Sequence, residues 1–171
     1  MKIITLWQPW ASLIALGCKQ YETRSWYTNY RGRILIHAAI RSMNCNGHFL
    51  LDILEREGFW KPFMQDLDGD TTDYRRAVFP TGVIVAIADL TNCFYMIDNE
   101  SDRKVKHRDT IVISSVSEQE SLCGDWQFGR YAWKLENIKA LQHPISFKGS
   151  QGLKPASDEI AKELSDNQIF G

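Results

Sequence analysis

Thr81-Gly82-Val83-Ile84-Val85-Ala86-Ile87-Ala88-Asp89-Leu90 is the stretch from which the fold is read. Every residue from Val83 to Ala88 is apolar, and Val83, Ile84, Val85 and Ile87 are β-branched. A short run of this kind, opened by Gly82, predicts a strand rather than a helix. Working outward, Arg31-Gly32-Arg33-Ile34-Leu35-Ile36-His37-Ala38 predicts a second buried strand with a charged start. Residues 2–6 predict a third, through Ile3, Ile4 and Leu6. Between them, Pro9 suits the first helical position, because its missing N–H would have no partner there. Trp10, Leu13 and Ile14 recur at helical spacing, and Gly17 can end the helix because it tolerates positive φ. Residues 21–26 read as a short extended segment. Downstream, Phe49, Leu50, Ile53 and Leu54 predict a helix over 47–57. Residues 58–80 read as irregular and 97–108 as an exposed loop. Further strands are predicted at 111–116, at Tyr131–Leu135 and, after Pro144, at Ile145–Phe147, with a terminal helix over 157–165. Several short strands and a few helices predict an α+β fold, a small β-barrel with flanking helices.

The 171 residues suit a single domain spanning 1–171, with an insertion at about 42–80. A hydrophobic content of 44% and a charged content of 24% belong to an ordered globular chain rather than a disordered one. No apolar run approaches the ~20 residues of a membrane helix. Met1 to Leu6 lacks the apolar core of a signal peptide. Cys18, Cys45, Cys93 and Cys123 form no C-x-x-C pair, so a zinc ribbon, a redox motif and a disulfide framework are not expected. Reduced thiols and a cytoplasmic protein follow as expectations.

Charge is unevenly distributed. The net charge is -1, yet residues 1–41 hold Lys2, Lys19, Arg24, Arg31, Arg33 and Arg41 against Glu22 alone, which makes that segment +5. It also holds Trp7, Trp10, Tyr21, Trp26, Tyr27 and Tyr30. Cations attract phosphates, and aromatic faces stack on bases, so the combination suits nucleic acid. Aromatics at these spacings also serve as core. Trp10 fits beneath the helix, while Trp7 and Trp26 fit either role. The basic run Arg103 to Arg108 follows the acidic 98–102 stretch and reads as a solvated loop.

Other candidate sites fail on their spacing. Asp66 to Asp73 resembles a calcium loop, but the sixth and twelfth positions are Thr71 and Ala77 instead of Gly and an acid. His37, His48, His107 and His143 lack metal-ligand spacing. Gly149-Ser150-Gln151-Gly152 is followed by no Gly-Lys-Ser/Thr and is not a phosphate loop. No metal and no cofactor are expected.

Three segments, in order and closely spaced, resemble the ASCH domain family of the PUA-like superfamily. They are Leu6-Trp7-Gln8-Pro9-Trp10-Ala11-Ser12-Leu13-Ile14, Gly17-Cys18-Lys19-Gln20-Tyr21-Glu22-Thr23-Arg24-Ser25-Trp26 and Tyr30-Arg31-Gly32-Arg33-Ile34-Leu35-Ile36-His37-Ala38. Residues 82–90, 129–135 and 144–152 resemble the family's later strands, and 42–80 has no counterpart. The motif order is most similar to the domain of a transcriptional coactivator and of small bacterial and phage proteins. The resemblance implies a PUA-like β-barrel with flanking helices, a cleft between barrel and helix, and RNA or another nucleic acid as the partner, with a small nucleoside as a further ligand.

On an extended segment Glu22 and Arg24 share a face, and Lys19 lies in the turn before them. A carboxylate accepts from a base amino group, Lys19 and Arg24 suit phosphate or a carbonyl oxygen, and Trp26 or Trp10 can stack. Arg31 and Arg33 flank Gly32 at a strand start and suit either phosphate contact or a solvated edge. Glu22 and Arg24 can also simply pair with each other, and His37 reads as a core or cleft-wall histidine. Some relatives implied by the resemblance are amidohydrolases on acetylated cytidine compounds or ribonucleases, which makes Lys19, Glu22 and Arg24 the catalytic candidates. The amidohydrolase pattern resembles Gly-x-Lys-x-x-Thr-x-Arg with a later glutamate. Here Glu22 stands at the threonine position, and Thr23 follows one residue later.

Overall fold

The computed structural model describes residues 1–41, 43–57, 79–97, 112–113 and 116–166. The elements run β1 (Lys2–Leu6), α1 (Trp10–Ala15), β2 (Tyr21–Arg24), β3 (Gly32–Ala38), α2 (Cys45–Arg56), β4 (Val83–Met96), β5 (Val112–Ile113), α3 (Glu118–Leu122), β6 (Tyr131–Ser146), β7 (Leu153–Pro155) and α4 (Asp158–Asp166). The acidic 66–73 stretch, the 103–108 run and most of 58–80 and 97–108 lie outside the described residues.

The apolar runs bury both faces of their strands, as period-2 geometry requires when each face has a cover. On one face Ile4, Leu6, Ile34, Ile36, Ala86, Ala88 and Leu90 pack with Ala11 and Ile14 of α1. On the other, Ile3, Leu35, Ile84, Ile87 and Ile145 pack with Ile160 and Leu164 of α4. Each of these two α4 residues contributes about 1.5–3 kcal/mol by leaving water. Leu50, Leu51 and Leu54 of α2 close on Leu13 of α1 and on Cys123 after α3. Helix α1 ends at Leu16, followed by Gly17 at φ +77°. Asn44 caps α2, its side chain accepting from the Gly47 N–H.

The strands form one mixed sheet in the order β2-β6-β4-β3-β1-β7, with β5 beside β4. β1 and β3 run parallel, in register Ile3↔Leu35 through Thr5↔His37, while β7 pairs antiparallel with Lys2 to Ile4 only. The expected α+β class stands, but the expected β-barrel does not. β2 and β7 end the hydrogen-bonded path, and no ladder joins them, so the sheet is open. The reason lies in strand length. β2 has four residues and β7 three, and each is occupied by a single partner, β6 and β1 respectively.

β6 also departs from expectation, because it runs unbroken through Asn137 and Pro144 where two short strands are predicted. Bulges absorb both residues. Between the pairs Ile84↔Ile145 and Ala86↔Ala140, β6 carries extra residues around Pro144, and Asn137 takes φ +50° beside the Asp89↔Glu136 pair. Among the described residues no helix is long and apolar enough to cross a membrane, and the cytoplasmic expectation reduces to that statement.

Candidate functional site

Two clefts meet where the sheet fails to close. The larger, about 1350 Å³, is lined by Thr5, Trp7, Arg24, Trp26, His37, the 146–152 segment and Lys154 among others. The smaller, about 570 Å³, is lined by Lys19, Glu22, Thr23, Cys123, Asp125 and Arg130 among others. Thr5, Trp7 and Arg24 belong to both.

The strand β2 and the turn before it bring Lys19, Glu22 and Arg24 together. Arg24 Nε lies 3.0 Å from Glu22 Oε1, and Arg24 Nη2 donates to the Thr5 carbonyl oxygen at 3.3 Å. The Nε contact is an ion pair whose angle falls short of a hydrogen bond, which leaves Nε without a hydrogen-bond partner. Lys19 is 1% exposed, and its Nζ donates to the Cys123 carbonyl oxygen at 2.8 Å. The same Nζ lies 3.9 Å from Glu22 Oε2 and 3.9 Å from Glu120 Oε1. Lys19 is therefore the buried centre of a charge cluster at the floor of the smaller cleft, and Arg24 carries that cluster into the larger one.

Glu120 is the member that the sequence reading leaves out. Its carboxylate accepts from the backbone N–H groups of Gln20 at 2.8 Å and Tyr21 at 3.1 Å. Burial pushes its pKa up, while Lys19 and those two N–H groups pull it back, and the net direction is upward. A local signal exists for its helix. Ser117-x-x-Glu120 has the capping-box form, and the Ser117 hydroxyl accepts from the Glu120 N–H. That spacing marks a helix start but gives no hint that the carboxylate reaches across to residues 20 and 21. Thr23 is engaged as well: its hydroxyl accepts from the Asp125 N–H at 3.0 Å.

Arg31 and Arg33 do not join the site. Arg31 Nη1 donates to the Thr28 and Tyr30 carbonyls, both at 2.8 Å, and so braces its own loop. Arg33 projects to solvent 3.8 Å from Asp89. Trp26 packs edge-to-face on buried Trp133 with ring centroids 4.5 Å apart and remains 37% exposed at the cleft. Trp7 is 50% exposed beside it, with the Arg41 guanidinium 5.2 Å from its ring. Trp10 packs against the helical core and lines the smaller cleft. Lys148 and Lys154, exposed and lining the larger cleft, have no acidic partner among the described residues. In all, the larger cleft holds Arg24, Lys148 and Lys154 and no carboxylate among its lining residues.

His37 sits in the wall of the larger cleft with both ring nitrogens engaged, by Thr5 and by the Phe147 carbonyl. Desolvation lowers its pKa. The four thiols are free, and burial pushes Cys18 up to about 12 and Cys123 up to about 11, which disfavours the thiolate at these two positions. Among the described residues no group of three or more His, Cys, Asp or Glu side chains is placed to hold a metal ion.

The ASCH domain profile matches residues 4–146. Activating signal cointegrator 1 of Homo sapiens is 30% identical over 90 residues, covering 53% of this chain and 14% of that protein. The Mus musculus protein of the same name gives the same identity and coverage. This chain thus spans a small part of the length of the curated relatives it matches. The crystal structure of ASCH from Zymomonas mobilis superposes with a TM-score of 0.52 at 18% identity, covering 98% of this chain and 95% of that one. A mutant of the same protein gives 0.50 at 16% identity, with 98% of each chain covered. At these identities the structural likeness speaks for the fold alone.

Proposed function

Because the chain belongs to the ASCH domain family, we propose that it binds single-stranded nucleic acid, RNA foremost, in the larger cleft. One observation carries this reading. In a protein of net charge -1, the larger cleft is lined by three cations and no carboxylate, and two partly exposed indoles stand in its wall. Lys148 and Lys154 suit backbone phosphates, and Trp7 and Trp26 offer faces on which bases stack. Arg24 is anchored by Glu22 and Thr5, so it presents a fixed guanidinium edge rather than a mobile one.

The test is fluorescence titration of short single-stranded RNA and DNA at several salt concentrations. Two or three phosphate contacts give a slope of log K against log salt of roughly -1.4 to -2.1. The Lys148→Ala/Lys154→Ala variant lowers that slope. Trp7→Ala loses about 5- to 150-fold in affinity, the equivalent of ~1–3 kcal/mol of stacking. Variants that bind like the parent, at a salt-independent affinity, sink the reading.

A second reading, hydrolysis of a modified nucleoside or of RNA, is favoured by Glu22 and Glu120 flanking Lys19 beside the smaller cleft. An ammonium held between two carboxylates and a carbonyl suits charge balance better than proton abstraction, which leaves Glu22 as the candidate base. Turnover of acetylated cytidine or of RNA that survives Glu22→Gln unchanged rules out that assignment.

A further inference from the structure

Thr5 and His37 face each other across the parallel β1–β3 ladder, and both line the larger cleft. His37 Nε2 lies 3.0 Å from the Phe147 carbonyl oxygen, and Nδ1 lies 3.1 Å from Thr5 Oγ1. A carbonyl oxygen can only accept, so Nε2 carries the ring proton. A neutral imidazole protonated at Nε2 presents a lone pair at Nδ1. The Thr5 hydroxyl therefore donates to His37, and its one proton is committed. What remains for the cleft is a pair of oxygen lone pairs. An ordinary threonine hydroxyl rotates to donate or accept as the ligand demands; this one accepts only. Thr5 is half-buried and lines both clefts, and Gly149 packs beside it with no room for a side chain, since a Cβ at that position would lie 2.9 Å from Thr5 Oγ1 and would press on the imidazole as well.

We propose that Thr5 determines specificity in the cleft: its hydroxyl, locked as an acceptor by His37 and the Phe147 carbonyl, selects a nucleotide that brings a hydrogen-bond donor to that point. This rests on the reading of the cleft as a nucleotide site. A nucleotide carries three kinds of donor: the ring N–H of uracil, guanine or hypoxanthine, and the two the proposal concerns, an exocyclic amino group of cytosine, adenine or guanine and the ribose 2′-hydroxyl. A ligand offering a carbonyl oxygen there sets two acceptors against each other, and one offering only C–H leaves Oγ1 without a partner. Both mismatches carry the penalty of an unsatisfied polar group, about 10-fold in affinity.

The experiment measures binding of short oligomers of cytidine against uridine and of adenosine against inosine, each in ribose and 2′-deoxyribose form. The base pairs of ligands isolate the amino group, and the sugar pair isolates the 2′-hydroxyl. The expected result is about a 10-fold preference for the amino-bearing base, or for ribose over 2′-deoxyribose, in at least one comparison. Thr5→Val, which keeps the shape and removes the hydroxyl, brings that preference close to unity, and Thr5→Ser preserves it. A parent protein that binds without any such preference overturns the inference and leaves the binding cleft standing, as does a preference untouched by Thr5→Val. A parent protein that binds none of the oligomers overturns both. Nitrogen-15 NMR of His37 gives a ligand-free check: a proton on Nε2 is expected, and a neutral ring protonated at Nδ1 removes the lock.

Discussion

Replacing Lys19 by methionine keeps the length of the side chain and removes its charge. Three groups lose a contact at once: the Cys123 carbonyl at 2.8 Å and the carboxylates of Glu22 and Glu120 at 3.9 Å each. Glu22 keeps Arg24 at 3.0 Å, whereas Glu120 keeps only the N–H groups of Gln20 and Tyr21 among the described residues. Lys19 is 1% exposed, so water cannot easily take its place. Removing one partner of a buried ion pair costs about 3–5 kcal/mol, here chiefly because the buried Glu120 is left with no cation beside it among the described residues. The orphaned carbonyl belongs to the same event and is not added separately. For a domain of this size, 1 kcal/mol moves Tm by roughly 2–4 °C, so the expected fall is about 6–20 °C.

Urea and thermal unfolding read this loss directly. The physical cause predicts its pattern as well. The loss should shrink at lower pH, where Glu120, already pushed up by burial, takes a proton more readily once Lys19 is gone. The double variant Lys19→Met/Glu120→Gln should therefore be more stable than additivity of the two single changes requires. A Lys19→Met protein within 1 kcal/mol of the parent, or strictly additive single and double variants, refutes the buried-cluster argument. The result also bears on binding tests. A variant of Lys19 disturbs the buried cluster, so the exposed cleft-lining cations Lys148 and Lys154 are the proper targets for affinity measurements of the proposed binding.

Two further outcomes follow from the cleft wall. The folded-state pKa of His37 is lowered from the ordinary 6.5 by burial, so the unfolded chain binds more protons between the two values. Its contribution to stability is complete above about pH 6.5 and is lost as pH falls towards the folded-state value; in thermal unfolding from pH 4.5 to 8, the difference between the parent and His37→Gln should change across that window, and a flat difference contradicts the burial argument. Gly149→Ala places a methyl against the imidazole and 2.9 Å from Thr5 Oγ1, with an expected loss of about 1–3 kcal/mol in urea unfolding; unchanged stability would mean that the 148–152 segment does not rest on that pair.

Much of the fold is legible from local pattern. The apolar runs at Ile34–Ile36 and Val83–Ala88 form strands because both of their faces are covered. Of the expected stripe Phe49, Leu50, Ile53 and Leu54, Leu50 and Leu54 pack with Leu51 against α1, while Phe49 is exposed. The 130–146 region is less legible. Asn137 and Pro144 read as breaks, yet pairing with β4 spans both through bulges, a gain that depends on residues about 50 positions away. Barrel closure has the same character, since it depends on which edges meet and not on which strands exist. At the site, the proximity of Lys19, Glu22 and Arg24 follows from a turn and a four-residue strand. Glu120, Lys148 and the Thr5–His37 pair enter through contacts far apart in sequence, and no spacing rule reaches them.

The open seam is what makes a site available. Pairing of β7 with β1 stops at Ile4, and Thr5 is the next residue along. Had β2 continued the ladder there, backbone hydrogen bonds would have set adjacent strands about 4.8 Å apart and left no room for a ligand. Instead the Arg24 side chain crosses the gap, donating to the Thr5 carbonyl and pairing with Glu22. A guanidinium reaches farther than a peptide group, so the seam is held at side-chain spacing. Arg24, half-buried Thr5, Trp7 and Trp26 then line it. The backbone satisfaction that a closed sheet would have supplied is supplied here by one charged side chain, and that substitution turns a packing edge into a polar cleft. Arg24 consequently has a part in holding the seam that is independent of any ligand, and it is the residue through which the buried Lys19–Glu22–Glu120 cluster can influence what the larger cleft accepts.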